Sequence, residues 1–262
     1  MMISFKEKYG AWALITGASS GIGESFARKF ASYGINLIVL ARRIDRLEKL
    51  KSELENKFNV EVIPLQVDLQ NENFLEEIKS VIDSKEIGIL INNAGFGYRD
   101  EFINSDSQNN INMIKVNCIA PTILTHYLLP KMVERKKGAL IFLGSLVAFQ
   151  PTPTTAVYAA TKVFDAFLGD ALWYELKKYN IDVVTVNPGG TETEFHKVAK
   201  STMGPFPRTS EQVVKSTLKA LGKKPSVIDG LFNKILAVSN RFVSRKISIT
   251  LAGKISESIY KN

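Results

Sequence analysis

Tyr158 and Lys162 stand four positions apart in the run VYAATKVF, residues 157–164, which reads as helix. Four-residue spacing keeps two side chains on one helical face, within reach of each other. A free tyrosine has a pKa near ~10 and exchanges protons poorly at neutral pH, whereas a neighbouring ammonium favours the phenolate. A general acid or base works best when its pKa lies near the operating pH. The pair can therefore move a proton, provided other residues bring a reacting group to it. The competing reading packs Tyr158 in the core and lets Lys162 reach solvent.

A second stretch with chemical potential is TGASSGIG, Thr16 to Gly23. Gly17, Gly21 and Gly23 permit a sharp turn and a close approach to a pyrophosphate. The helix that follows presents free N–H groups to the anion, with Ser19, Ser20 and Ile22 inside the turn. The pattern is Gly-x-x-x-Gly-x-Gly rather than Gly-x-Gly-x-x-Gly, and its place between strand and helix is what gives it weight. The second strand ends in VLARR. A free ribose 2′-hydroxyl usually meets an acidic residue there, whereas a 2′-phosphate needs cations. Ala41 is no acid, and Arg42 with Arg43 can fork onto phosphate oxygens, which points to NADP(H). The alternative is that these arginines begin a charged surface helix.

Those residues need a scaffold. Strands are expected at WALIT, NLIVLA, EVIPLQVDL, IGILINNAG, GALIFLGS and IDVVTVNPGG, and helices at 21–33, 43–58, 71–84, 106–134 and 155–179. Apolar strands alternating with helices predict an α/β fold, a doubly wound parallel sheet of Rossmann type with helices on both faces. One domain is expected over 1–221, with a substrate lid at 190–210 and a basic amphipathic extension at 222–262 packed on it.

The chain has 262 residues and a net charge of +8. Residues 222–262 hold eight Lys+Arg against two Asp+Glu, so most of that charge belongs to the tail and no nucleic-acid footprint covers the surface. Cys118 is the only cysteine, which excludes an intrachain disulfide and suits a reducing compartment; it reads as a small core residue. No signal-peptide pattern or long apolar run is present, and a cytoplasmic location is expected. His126 and His196 are too isolated to suggest a metal site, and none is expected.

Taken in order, TGASSGIG, NNAG (92–95), Asn117, Ser145, YAATK and NPGG resemble the short-chain dehydrogenase/reductase superfamily over about residues 10–195. The resemblance implies that Tyr158 is the proton donor and that Lys162 holds the nicotinamide ribose while acidifying the phenol. It implies that Ser145 hydrogen-bonds the substrate carbonyl and that Asn117 supports a water-linked proton path to the lysine. Asp68, Asn93, Ala94 and Gly95 would wall the adenine pocket, and Pro188, Gly189, Thr191 and Thr193 would line the nicotinamide. Asn117 could instead be a structural bridge, and Asp68 could cap the next helix.

The activity so implied is NADP(H)-dependent hydride transfer between the cofactor and a small-molecule carbonyl/alcohol pair. Phe195, Val198, Met203 and Phe206 in the lid suggest an apolar or lipid-like substrate, and His196 could touch it. The alternative is a catalytically silent NADP(H)-binding sensor or membrane-associated scaffold.

The tail departs from the family's usual ending. SVIDG reads as a short seventh strand and turn. Across 231–247, Phe232, Ile235, Leu236, Phe242, Val243 and Ile247 recur at helical spacing beside Lys234, Arg241 and Arg245. Such a helix could contact a membrane peripherally, cover the substrate pocket or pack on a partner subunit. A homodimer is expected, with tetramer formation in doubt.

Overall fold

The computed structural model describes residues 4–195, 199, 206–240 and 242–260. Seven strands form one parallel sheet: β1 (Trp12–Thr16), β2 (Asn36–Ala41), β3 (Val62–Gln66), β4 (Ile87–Asn92), β5 (Gly138–Leu143), β6 (Ile181–Asn187) and β7 (Ser226–Ile228). Their order is β3-β2-β1-β4-β5-β6-β7. The order reverses between β1 and β4, and in such sheets the crevice beyond the strands' carboxyl ends at that point takes the ligand.

The two-residue period of a strand sorts its side chains into two cores. Ala13 and Ile15 of β1 face one, with Phe26, Phe30, Leu47 and Val213. Trp12 and Leu14 face the other, with Phe74, Leu124, Leu128 and Met132. The first core is covered by α2 (Gly21–Ala31), α3 (Ile44–Lys57) and α8 (Ser210–Ala220). The second is covered by α4 (Phe74–Asp83), α6 (Ala120–Arg135) and α7 (Ala156–Leu176). A short α1 (Phe5–Tyr9) precedes β1, and α5 (Ser107–Ile114) precedes α6.

Several elements differ from expectation, the short helix α1 among them. The stretch 106–134 is not one α-helix. A π-helical turn, Lys115–Ile119, separates α5 from α6, and Ala120 N donates to Lys115 O five residues back. Pro121 has no N–H for the Asn117 carbonyl, so the ladder shifts register there. The expected helix 231–247 is also divided, into α9 (Leu231–Ser239) and α10 (Arg245–Tyr260). Asn240 ends the first, and Asn240 Nδ2 reaches Gln150 Oε1 at 2.5 Å, tying the break to the body. Finally α8, opened by a Thr209–Gln212 capping box, occupies a segment for which no helix was expected.

The extension contributes to the sheet itself, because β7 pairs with β6 from Thr185↔Ser226 to Asn187↔Ile228. Among the described residues, no helix is long and apolar enough to cross a membrane.

Candidate active site

The loops after β1, β2, β4, β5 and β6 meet around one cavity of about 560 Å³, within the usual range for small-molecule sites. Its wall includes Gly17, Ser19, Ser20, Gly21 and Ile22 at one end and Ser145, Tyr158 and Lys162 at the other.

At the first end the chain turns where only glycine fits easily. Gly17 has φ +67°, and a Cβ there would sit 2.9 Å from Ala94 Cα; Gly21 has φ +60°. The turn is braced from β4. Asn93 Nδ2 donates to Thr16 O at 2.8 Å, and Ala94 N donates to Thr16 Oγ1 at 2.9 Å. Asn93 thus holds the turn's shape while also lining the cavity. Gly23 is buried behind the wall, where a Cβ would collide with the Gly17 carbonyl. Ser20 caps α2 without a side-chain hydrogen bond, so the first N–H groups of an eleven-residue helix face the cavity uncapped. A close-approach glycine turn with free amides and a positive helix end fits a dinucleotide pyrophosphate.

Arg42 and Arg43 line the cavity beyond β2. Arg43 donates to Ser19 Oγ at 3.0 Å, Ser20 Oγ at 2.9 Å and Glu194 Oε2 at 2.7 Å. Arg46 also reaches Glu194, at 2.9 Å. Hydrogen bonds from Arg43 and Arg46 hold the Glu194 carboxyl at a pKa of about 2. The cations gather beside the glycine turn and already hold a carboxylate, chemistry that fits a 2′-phosphate. Asp68 lines the cavity too, and its Oδ1 accepts from Gln70 N at 3.0 Å. It does not cap α4, which begins six residues later with Asn73 at its N-cap.

At the other end, α7 presents Tyr158 and Lys162 to the same cavity. The spacing does bring them together, but Lys162 is not solvent-exposed. It is buried, donating to Leu143 O at 2.7 Å and to Asp165 Oδ2 at 2.9 Å. Burial alone would lower the ammonium's pKa, yet the Asp165 carboxylate and the phenol hold it above its ordinary value. Burial pushes the Tyr158 phenol up, while Lys162 and hydrogen bonding from Ser145 pull it back. The phenol stays above its ordinary value, so the protein's groups do not by themselves acidify it. Asp165, which no sequence motif marks, completes this balance. Ser145, just after β5, caps the short 3₁₀ turn Leu146–Phe149 and accepts from Val147 N at 3.4 Å.

Asn117 lies in the π-helical turn, outside the cavity wall. It accepts from Phe96 N at 3.1 Å and donates to Phe96 O and Thr161 Oγ1, each at 3.0 Å. It therefore bridges the loop after β4 to α7, next to Gly95. A Cβ on Gly95 would lie 3.1 Å from Asn117 Oδ1 and 3.4 Å from Lys162 Nζ.

The family model for short chain dehydrogenases matches residues 11–204, the region that carries every one of these features. The chain belongs to the short-chain dehydrogenase/reductase family. Its activity is that of an oxidoreductase acting on CH–OH groups. The chain is 35% identical over 218 residues to the very-long-chain 3-oxoacyl-CoA reductase of Homo sapiens, covering 81% of this chain and 69% of that protein. It also resembles a short-chain dehydrogenase from Sphingobium yanoikuyae solved in complex with NADPH. That match has 31% identity and a TM-score of 0.79, over 88% of this chain and 93% of the other. A 7β-hydroxysteroid dehydrogenase shares the fold at a TM-score of 0.89 and 24% identity, over 95% of this chain and 99% of the other.

In this family member the loop after β6 and the tail shape the rest of the site. Pro188, Gly189, Thr191 and Thr193 line the cavity, and Thr191 Oγ1 donates to Gly189 O at 3.1 Å. Asn233 of α9 packs so closely on Gly189 that a Cβ there would lie 2.5 Å from the amide. The base of the expected lid is laced shut by Glu192 N to Arg208 O and Arg208 N to Gly190 O, each at 2.9 Å. Arg208 in turn pairs with fully buried Asp229 at 3.0 Å.

Phe195 lies against the Tyr158 ring, centroids 5.5 Å apart, and lines the cavity. Phe206 does not line it; its ring meets Phe232 at 5.3 Å. Val198, Met203, His196 and Arg241 lie outside the described residues. The tail also touches the loop beside the cavity wall, where Ser256 Oγ donates to Pro153 O at 2.8 Å, next to the lining residue Thr152. Burial pushes the Cys118 thiol up to about 12, as suits a core residue rather than a nucleophile.

Proposed function

We propose that the chain interconverts a carbonyl and a secondary alcohol on a lipid-like substrate with NADP(H), and that 3-oxoacyl thioesters are the first class to test. The observation that carries this reading is the shared cavity, with phosphate-compatible groups at one end and Tyr158, Ser145 and Lys162 at the other. When bound, NADP(H) supplies hydride exchange at the carbonyl carbon. The glycine turn and the N-terminus of α2 hold the pyrophosphate, and Arg42 and Arg43 hold the 2′-phosphate. Asp68, Asn93, Ala94 and Gly95 wall the adenosine side, while Pro188, Gly189, Thr191 and Thr193 support the nicotinamide side.

As negative charge grows on the substrate's carbonyl oxygen, the Ser145 hydroxyl donates a hydrogen bond to it and Tyr158 transfers its proton. Lys162 has three N–H donors, and two are engaged by Leu143 O and Asp165. The third is free for a ribose hydroxyl or the phenolate. Asn117 keeps α7 in place against the loop after β4, beside Lys162. Phe195 keeps water from the phenol. The human relative's substrate class and the apolar residues Phe96, Leu146, Val147 and Phe195 around the proton-transfer end support a lipid-like substrate. Because Ser145, Tyr158 and Lys162 are all retained, a catalytically silent sensor has no support.

NADPH absorbance with 3-oxoacyl thioesters and apolar ketones tests the reading. Consumption dependent on the carbonyl compound is expected. A protein that binds NADPH and consumes none with any of them contradicts it.

The oligomer proposed is a homodimer through α5, the π-helical turn, α6 and α7. Ile111, Ile114, Ile119, Phe164, Phe167 and Tyr174 are exposed there, and Phe167 is 72% accessible. Members of the family commonly assemble. Phe167→Glu should convert the dimer to monomer in light scattering; a wild-type monomer would refute it. A peripheral contact of the tail with anionic lipid is also proposed. Ile235, Phe242, Val243 and Ile247 are exposed beside Lys234, Arg245 and Lys246. Full-length protein should sediment with anionic liposomes and a 231–262 deletion should not; a full-length chain that stays in the supernatant excludes the contact.

A further inference from the structure

Arg99 follows β4 by seven residues and lines the Tyr158 end of the cavity. Its Nε and Nη1 are buried and have no hydrogen-bond acceptor among the described residues. Burial lowers the guanidinium's pKa, and no carboxylate among the described residues acts on it to offset that cost. Holding part of a guanidinium out of water without a partner is costly, and chains normally pair such a group or replace it.

The loop that carries Arg99 is held at the reacting end. Gly97 lies so close that a Cβ would be 3.1 Å from Tyr158 Cδ2 and 2.9 Å from Phe195 Cζ. Two residues, about 7 Å of chain, separate that contact from Arg99. Just past it, Asp100 N donates to Thr154 O at 2.8 Å. Asp100 is not in the cavity wall, and its carboxylate accepts from Glu101 N at 2.8 Å. The acids that do line the cavity, Asp68 and Glu194, belong to the cofactor end, and Glu194 is committed to Arg43 and Arg46. The same cavity wall holds Phe96, Tyr98, Gln150, Thr152 and Thr155, which supply polar atoms but no negative charge.

We infer that Arg99 is an anion-recognition residue of the substrate site, pairing with a carboxylate or phosphate carried by the carbonyl compound away from its reacting carbon. This rests on the proposed carbonyl chemistry and refines its substrate class from lipid-like to amphiphilic and anionic. A guanidinium suits either oxyanion, because its planar fork donates two parallel hydrogen bonds. The anion would also orient the chain, placing the carbonyl against Ser145 and Tyr158 rather than leaving an apolar tail to slide in the pocket.

Two matched pairs of probes test this, each pair differing in its anion. One pair is a long-chain keto acid and its methyl ester, and the other is a 3-oxoacyl-CoA and the corresponding N-acetylcysteamine thioester. The wild type should prefer the charged member by kcat/KM, chiefly through KM. Arg99→Gln should shrink that preference by about 10- to 100-fold, the range of a charge-assisted hydrogen bond. Arg99→Lys should restore part of it. Loss confined to the acid pair identifies a carboxylate, and loss confined to the coenzyme pair identifies a phosphate.

Calorimetric binding of the same probes to the full chain loaded with NADP⁺ repeats the comparison without turnover. Inactivity towards all four probes with Arg99-dependent binding therefore indicts the carbonyl chemistry, not the anion site. Preferences that Arg99→Gln leaves unaltered in both turnover and binding, or a wild type with no preference in either, overturn the inference.

Discussion

A Tyr158→Phe chain should still bind NADPH while reducing its carbonyl substrate about a hundred- to ten-thousand-fold more slowly, the usual contribution of a positioned general acid. The change deletes one hydroxyl and keeps the ring that packs at 5.5 Å from Phe195, so the cavity keeps its shape. The effect should fall on kcat, because the lost interaction belongs to the transition state rather than to substrate binding. NADPH fluorescence titration and initial rates measured together separate the two. A variant within about threefold of wild type in rate would remove Tyr158 from the chemistry.

The second large effect is expected at Asp165, whose charge lies in a buried pair with Lys162, both side chains being 5% accessible. Removing one partner of such a pair leaves the other charge uncompensated, which costs about 3–5 kcal/mol. Asp165→Asn should therefore lose about that much stability at neutral pH in urea unfolding.

The pH dependence should change sign as well. In the wild type, the folded pKa of Lys162 is raised. Its contribution is fully present below the unfolded value of about 10.4 and is lost as the pH rises through the folded value. Without Asp165, burial prevails and the folded pKa falls below the unfolded one. The variant's stability should then increase with pH up to about 10.4, because its unfolded state binds the extra proton. A variant as stable as wild type, with the same pH slope, would show that the carboxylate does not hold the ammonium.

Most of the scaffold was legible because each strand is a short apolar run next to a helix with a clear period. WALIT, NLIVLA and SVIDG appear as β1, β2 and β7 with ends shifted by no more than two residues. The two missed helices had a signal that apolar periodicity does not register. SFKE at 4–7 and TSEQ at 209–212 are both capping boxes, and each opens a helix. The helix expected over 231–247 failed because its period of exposed apolar residues carries through the break at Asn240, where tertiary contact with Gln150 ends the ladder.

In the site, ordered motifs identified the groups that meet, but motifs do not show burial. Lys162 was legible as Tyr158's neighbour, whereas its ion pair with Asp165 depends on α7 being sealed against the sheet. Asp165 does sit at i+3 from Lys162, a spacing that could have flagged it. Arg99 carries no motif at all. Only the folded cavity distinguishes it from the chain's other arginines. Asn117's alternative as a bridge was readable, and its hydrogen bonds to Phe96 and Thr161 give that bridge a physical form.

NADP(H) should sit in one cavity, from the arginines beyond β2 to the helix that carries Tyr158 and Lys162. A crystal structure of the full chain grown with NADP⁺ tests it most directly. The 2′-phosphate should lie within hydrogen-bond distance of Arg42 or Arg43, replacing Glu194, and the nicotinamide ribose within hydrogen-bond distance of Lys162 or Tyr158. A dinucleotide lodged elsewhere, or one whose nicotinamide points away from Tyr158, would contradict it.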